Sequence, residues 1–237
     1  MGIYDRDYAR VPTTGDRLGQ LRMWSVTTWL IVINVTVFFV DGLLRSAGFA
    51  YPLRGLPILV GPLESWGHFS AGTTIVGLQL WRFLTFQFLH ANLQHLFFNM
   101  LGLYFFGQMM ETYLGRNRFL IFYLTCGVAG AACYLLLWLM HVLVGSAWTP
   151  MVGASAGIFG ILAAASRVAP RATVMLIFPP MPVELRTWAL VLLGLAAATI
   201  IFAGPNAGGE AAHLGGAILG YFTVNFFRPR SRMRYFS

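Results

Sequence analysis

Six long apolar runs, at roughly 25–45, 92–113, 118–143, 151–167, 186–204 and 209–227, constrain this chain more than any other feature. Most approach the length of about 20 residues with which an α-helix crosses the hydrocarbon core of a bilayer. A soluble globule cannot accommodate them. Of the 237 residues, 57% are hydrophobic and only 10% are charged, too few to cover a water-facing surface of this size. A soluble enzyme is excluded, and an all-α polytopic membrane protein of six spans is predicted.

The net charge of +8 rests on arginine alone, and its placement decides what it means. Nucleic-acid binding needs basic residues gathered on one solvated face. Here they flank apolar runs in short clusters, as topology signals do. Thirteen arginines fall in the two tails, the 114–118 turn and the 167–186 loop, against Arg45, Arg54 and Arg82 on the other side. Both termini are therefore expected in the cytoplasm, with spans two, four and six starting at the outer face. The first 23 residues carry four Arg and three Asp with no apolar core, so they do not read as a cleavable signal peptide. The organisation predicted is a cytoplasmic tail over 1–23, a core over 24–227 with a long outer loop at 46–91, and a basic tail over 228–237 that meets anionic lipid. The outer loop is too long and too apolar for a floppy linker and is expected to pack on the membrane surface. Ala172 to Pro182 is too short to cross and holds Pro179, Pro180 and Pro182; it is expected to be an interfacial loop. Cys126 and Cys133 share a helix face as reduced packing residues.

Strongly polar side chains inside spans are costly, which makes each a functional candidate. His95 and Asn99, four apart, share a face of span two behind an N-cap at Asn92. Ser155 lies near the outer end of span four in Gly153-Ala154-Ser155-Ala156-Gly157, and His213 lies about one turn into span six. Three helices thus bring Ser, His, His and Asn to a similar depth. A serine hydroxyl is a poor nucleophile until a base within hydrogen-bond reach takes its proton, and the oxyanion that follows needs preorganised donors. His213 can be the base; His95, Asn99 and the Ser155 amide can be the donors. Each residue alone has a plainer reading, since Ser, Gly and Ala also promote close helix contact, as in Gly216-Ala217-Ile218-Leu219-Gly220. The conjunction at one depth outweighs it.

Four pieces in order, Trp81-Arg82, then His90, His95 and Asn99, then Gly153-Ala154-Ser155, then Ala212-His213-Leu214-Gly215-Gly216 with Gly220, resemble the rhomboid intramembrane serine proteases. The resemblance implies a six-helix rhomboid bundle with a water-filled cavity open to the outer face and a Ser–His dyad without a carboxylate partner. In it Ser155 attacks, His213 is the base, and His95, Asn99 and the Ser155 amide hold the oxyanion. Trp81, Arg82 and the first loop take a structural role, and Glu111 an inner-end hydrogen-bond network. Two positions depart from the family pattern: Ala156 replaces a usual glycine, where its methyl could narrow the cavity, and Phe159 replaces a usual tyrosine while keeping a ring to stack on the base. His90, at the entrance to span two, is given a supporting role as a solvated histidine. His68 and His141 have no evident partner, and Asp41 and Asn34, seven apart on span one, could pair with each other. Glu210, three before His213, could share its side of the helix and be mistaken for a triad acid, but it sits in a first turn open to water, where favouring the helix dipole is its simpler job.

The reaction implied is hydrolysis of peptide bonds in single-span membrane proteins near the outer surface, with the lipid bilayer as the other partner and no nucleic acid. The competing reading is a catalytically silent rhomboid-like protein that binds or escorts membrane segments. Transport is disfavoured by the lack of a repeat and of a path of intramembrane charges. No cofactor is expected, and no metal, because two histidines without a carboxylate or thiolate make an incomplete zinc shell. Composition points to a bacterial plasma membrane.

Overall fold

The computed structural model describes residues 24–54, 56–175 and 180–228. The predicted tails at 1–23 and 229–237 lie outside the described residues. Helix α1 (Val26–Ser46) opens on Ser25, whose hydroxyl accepts from Thr28 N at 3.0 Å. The outer loop then folds into a hairpin, β1 (Tyr51–Pro52) with β2 (Leu59–Val60), short helices α2 (Pro62–Gly67) and α3 (Arg82–Thr85), and a π-helical turn between them at Gly72–Val76.

Helix α4 (Leu93–Gly102) starts at Asn92, whose side chain accepts from His95 N at 2.8 Å, as the sequence predicts. It continues through a π-helical turn at Leu103–Gly107 into α5 (Gln108–Leu114). Gly115, at φ +83°, then turns the chain sharply into α6 (Arg116–Leu139). That conformation favours glycine because it has no Cβ to clash. After a loop come α7 (Ser155–Val168), a hairpin of β3 (Thr173–Met175) and β4 (Pro182–Glu184), α8 (Leu185–Ile201) and α9 (Ala207–Phe227). Helices α1 and α6 are long and apolar enough to cross a bilayer by length and composition.

Two segments differ from their sequence reading. The stretch around Ala172–Pro182 is not an irregular loop: Thr173 faces Glu184, Val174 faces Val183 and Met175 faces Pro182 in an antiparallel ladder, with residues 176–179 outside the described ones. The prolines disfavour helix but Pro182 tolerates the end of a two-stranded edge. The run at 151–167 is helical only from Ser155, so α7 has 14 residues and is about 21 Å long.

Helix α7 is the centre of the molecule. Ten of its 14 residues are buried, because α6 and α9 close on it from two sides. Small residues permit that approach. A Cβ on Gly216 would land on the Ala156 carbonyl, and one on Gly220 on the Gly160 carbonyl. Helix α8 packs mainly on α9 and α7, and an open cavity lined from both α4 and α8 lies between those two helices. One apolar cluster, with Phe119, Phe122, Tyr123 and Ile161, fills the core along α5 to α7. A second, with Phe69, Phe86, Tyr134, Met151, Ala156 and Ala212, lies beside Ser155. Cys126 and Cys133 are free thiols, Cys126 buried.

Candidate active site

Ser155 is the first residue of α7, and its approach is held by the outer loop. Phe69 and Met151 exchange backbone hydrogen bonds at 3.0 and 2.7 Å, and Gly153 N donates to Phe86 O at 2.9 Å. Gly153 itself sits at φ +136°, and a Cβ there would meet His95 Cε1 at 2.8 Å and Nε2 at 2.9 Å. Only glycine lets the Ser155 loop and the His95 ring come this close.

His213 reaches Ser155 from α9. Its Nε2 lies 2.8 Å from Ser155 Oγ, a distance at which the hydroxyl can donate to the ring nitrogen. The same ring stacks on Phe159, centroids 4.1 Å apart and 1° from parallel. Its other nitrogen, Nδ1, lies 2.8 Å from Glu210 Oε2. Glu210 therefore does more than meet the helix dipole, the role assigned to it from sequence. The i,i+3 spacing was visible; the rotamer that joins the two side chains was not.

His95 and Asn99 follow on α4, with Asn99 Nδ2 donating to His95 O at 2.9 Å. An amide carries two N–H donors, so one remains for another acceptor. His95, Asn99, Ser155 and His213 all line a cavity of about 1430 Å³ that runs along the gap between α4 and α8. Among the described residues no Asp, Glu, Arg or Lys lines it. The Ala156 methyl is buried beside Gly130, occupying the space where a Cβ on Gly130 would fall at 2.6 Å. Ala156 thus packs against α6 while also lining the cavity.

Supporting residues sit in a shell around this centre. Trp81 stacks on Trp66 at 5.6 Å, and its Nε1 donates to Trp66 O at 3.3 Å. Buried Arg82 donates to the carbonyls of His68 and Ser65 and to Gln79 Oε1, binding the outer loop together. His68, without a partner in the sequence reading, meets Glu64 O at 2.9 Å through Nδ1. Burial, then the nearby Asp41 carboxylate, raises Glu64 above the usual carboxylate range, while burial pushes His68 down. Glu111 accepts from Val26 N, Thr27 N and Thr27 Oγ1, each at 2.8 Å, and so caps α1 from α5.

Two expectations are corrected. His90 is not solvated: it is 6% exposed, neither ring nitrogen has a hydrogen-bond partner among the described residues, and its ring lies edge-on to His95 at 5.1 Å. Burial, then His95, pushes it down to about 3. Asp41 and Asn34 do not pair. Asp41 accepts from Leu63 N at 2.6 Å and caps α2, and Asn34 Nδ2 donates to Leu30 O within its own helix. Among the described residues no group of three His, Cys, Asp or Glu is arranged to hold a metal.

Comparison with known proteins agrees with the family resemblance. The model of the Rhomboid domain matches residues 77–230. Rhomboid protease AarA of Providencia stuartii is 32% identical over 214 residues, covering 83% of this chain and 70% of that protein. Rhomboid protein 1, mitochondrial, of Saccharomyces cerevisiae is 32% identical over 142 residues, covering 56% of this chain and 38% of that protein. Inactive RHOMBOID-like protein 8 of Arabidopsis thaliana is 30% identical over 110 residues, 45% of this chain and 29% of its own length. The chain thus spans well under half the length of some relatives and most of one, and with two thirds of it inside the domain match it belongs to the rhomboid family.

Proposed function

We propose that this chain is an intramembrane serine endopeptidase that hydrolyses peptide bonds of single-span membrane proteins near the outer face of the membrane. The observation that carries the reading is the 2.8 Å contact between Ser155 Oγ and His213 Nε2, made by residues 58 apart in sequence from two different helices. Family membership supports it, since relatives carry the name protease, and one relative named inactive makes the test necessary.

In this reading Ser155 Oγ attacks the scissile carbonyl carbon as its proton passes to His213 Nε2. The carbonyl π electrons move to oxygen, and His95, Asn99 and the Ser155 N–H stabilise the oxyanion by donating hydrogen bonds to it. Amides in the first turn of a helix have no intrahelical acceptor, so the Ser155 N–H is free for the task. Each such donor is worth about 3–4 kcal/mol in related chemistry. His213 then protonates the departing amine, and water drawn through the cavity cleaves the acyl-enzyme with the roles reversed. A transmembrane substrate passes the α4–α8 gap and unwinds locally, because an intact helix holds its carbonyls in hydrogen bonds.

Six spans, a core over 24–227, a cavity open to the outer face and cytoplasmic termini in a bacterial plasma membrane complete the proposal. Reporter fusions at each end test the orientation. The activity is tested by fluorophosphonate labelling of the detergent-purified protein beside Ser155→Ala and His213→Ala, all three verified as folded. Labelling of the wild type alone supports the protease; a folded wild type that resists the reagent, next to a reactive control hydrolase, turns the reading to binding without cleavage.

A further inference from the structure

Neutral imidazole carries one N–H donor and one acceptor nitrogen, and a base for Ser155 must have its acceptor at Nε2. In this chain Glu210 Oε2 lies 2.8 Å from Nδ1, and Ser155 Oγ lies 2.8 Å from Nε2 on the far side of the same ring. We propose that Glu210 is the positioning residue of His213, so that Ser155, His213 and Glu210 act as a Ser–His–Glu triad; this rests on the protease reading above.

An ionised carboxylate can only accept a hydrogen bond, which requires the proton at Nδ1 and leaves Nε2 free to receive the Ser155 hydroxyl. No other described group hydrogen-bonds Nδ1. Phe159 holds the ring plane but does not distinguish one edge of the ring from the other. The Glu210 contact supplies that missing selection. When Ser155 attacks, one proton moves from Oγ to Nε2 and the ring becomes a cation. Glu210 keeps its hydrogen bond from Nδ1–H and faces the new positive charge across it.

Glu210 is the acidic side chain that the described contacts place against the His213 ring. The groups that face His213 are Ser155 and Phe159 from α7 and His95 from α4, none of them an acid. Among the described residues the cavity lining contributes no Asp, Glu, Arg or Lys side chain. Side-chain exposures of 14% for His213 and 24% for Glu210 leave the pair partly wet. Its effect is therefore expected at the low end of the about 10²- to 10⁴-fold range for a general base.

The test compares wild type with Glu210→Ala, and with the isosteric Glu210→Gln should the alanine variant not fold, in detergent micelles. Nitrogen-15 NMR of the histidines, with His213→Ala identifying the resonance, reads which ring nitrogen holds the proton. Fluorophosphonate labelling across pH reads nucleophile activation in the same samples, and thermal unfolding reads stability. The expected result is an Nδ1–H tautomer with a downfield proton in wild type, loss of that signal in the alanine variant, and labelling slower by about a hundredfold with the unfolding temperature kept. A variant that labels at the wild-type rate, or an alanine variant that keeps the same tautomer, overturns the proposal. A lower unfolding temperature with unchanged labelling also overturns it, leaving only a helix-dipole role. Failure of wild type to label while the Nδ1 proton remains visible removes the protease reading and the catalytic part of this one together, and shows that the bond outlived them.

Discussion

The imidazole of His213 lies face to face with the ring of Phe159, centroids 4.1 Å apart and planes 1° from parallel. Phe159 stands one turn after Ser155 on α7, so a single helix face presents both the hydroxyl and the ring that orients its partner. Phe159→Ala is expected to slow fluorophosphonate labelling about two- to tenfold, the rate equivalent of a stacked pair worth about 0.5–1.5 kcal/mol. Phe159→Tyr keeps the stack and should label within about twofold of wild type. Labelling rates of the two variants side by side check this.

Gly220 faces the backbone of Gly160, and a Cβ added at Gly220 would fall on that carbonyl. Backbone cannot rotate away as a flexible side chain can, so α7 and α9 must separate. Gly220→Ala should destabilise by about 1–3 kcal/mol through overpacking. Gly194→Ala on α8, where nothing lies within 4 Å of the new methyl, should be neutral or mildly stabilising by about 0.5–1 kcal/mol. Thermal unfolding in detergent distinguishes the two, and equal shifts would contradict the close-approach account.

Glu111 joins α5 to α1 by accepting from Val26 N, Thr27 N and Thr27 Oγ1. Truncation to alanine strands buried donors at the start of α1. The expected loss is about 1.5–3 kcal/mol, the range for hydrogen bonds to a charged group. Glu111→Gln, with one acceptor oxygen instead of two, should fall between. Hydrogen exchange across residues 26–46 is the measurement: faster exchange localised to α1 is expected, whereas uniform change across all helices would show that the contact is not local.

Burial holds His90 down to about 3, against 6.5 in the unfolded chain. Between those values the unfolded state carries the extra proton, so acid favours unfolding there and the effect vanishes above 6.5. His68, also pushed down, acts in the same direction, while Glu64, raised, opposes it as pH climbs past its ordinary range. The contribution of His90 is therefore read as a difference. His90→Asn should flatten the loss of stability as pH falls from 6.5 towards 3, and an unchanged slope would mean that His90 does not remain neutral in the folded protein.

Much of this molecule is written locally. The apolar runs anticipate α1, the α4–α5 rod, α6, α8 and α9 to within a few residues, because helix length and hydropathy follow from consecutive side chains. Asn92 announces the start of α4, since an N-cap bonds an amide only three residues on. The depth of Ser155, His95, Asn99 and His213 along their helices follows from the same arithmetic.

Relations between distant segments were settled only by tertiary structure. That Asp41 caps α2, that Glu111 caps α1, and that a solvated-looking His90 is buried depend on which helix lies beside which. The 172–184 hairpin was missed because strand pairing is a property of two segments, and three prolines dominate the local signal. Even the Glu210–His213 bond, between residues three apart, needed the fold. Spacing places both on one side of α9, but the rotamer that points Glu210 at Nδ1 is selected by a ring already held between Phe159 and Ser155. Sequence determines which groups share a helix face and a depth; tertiary contact decides which of them meet, because side-chain direction is fixed by the neighbours each one packs against.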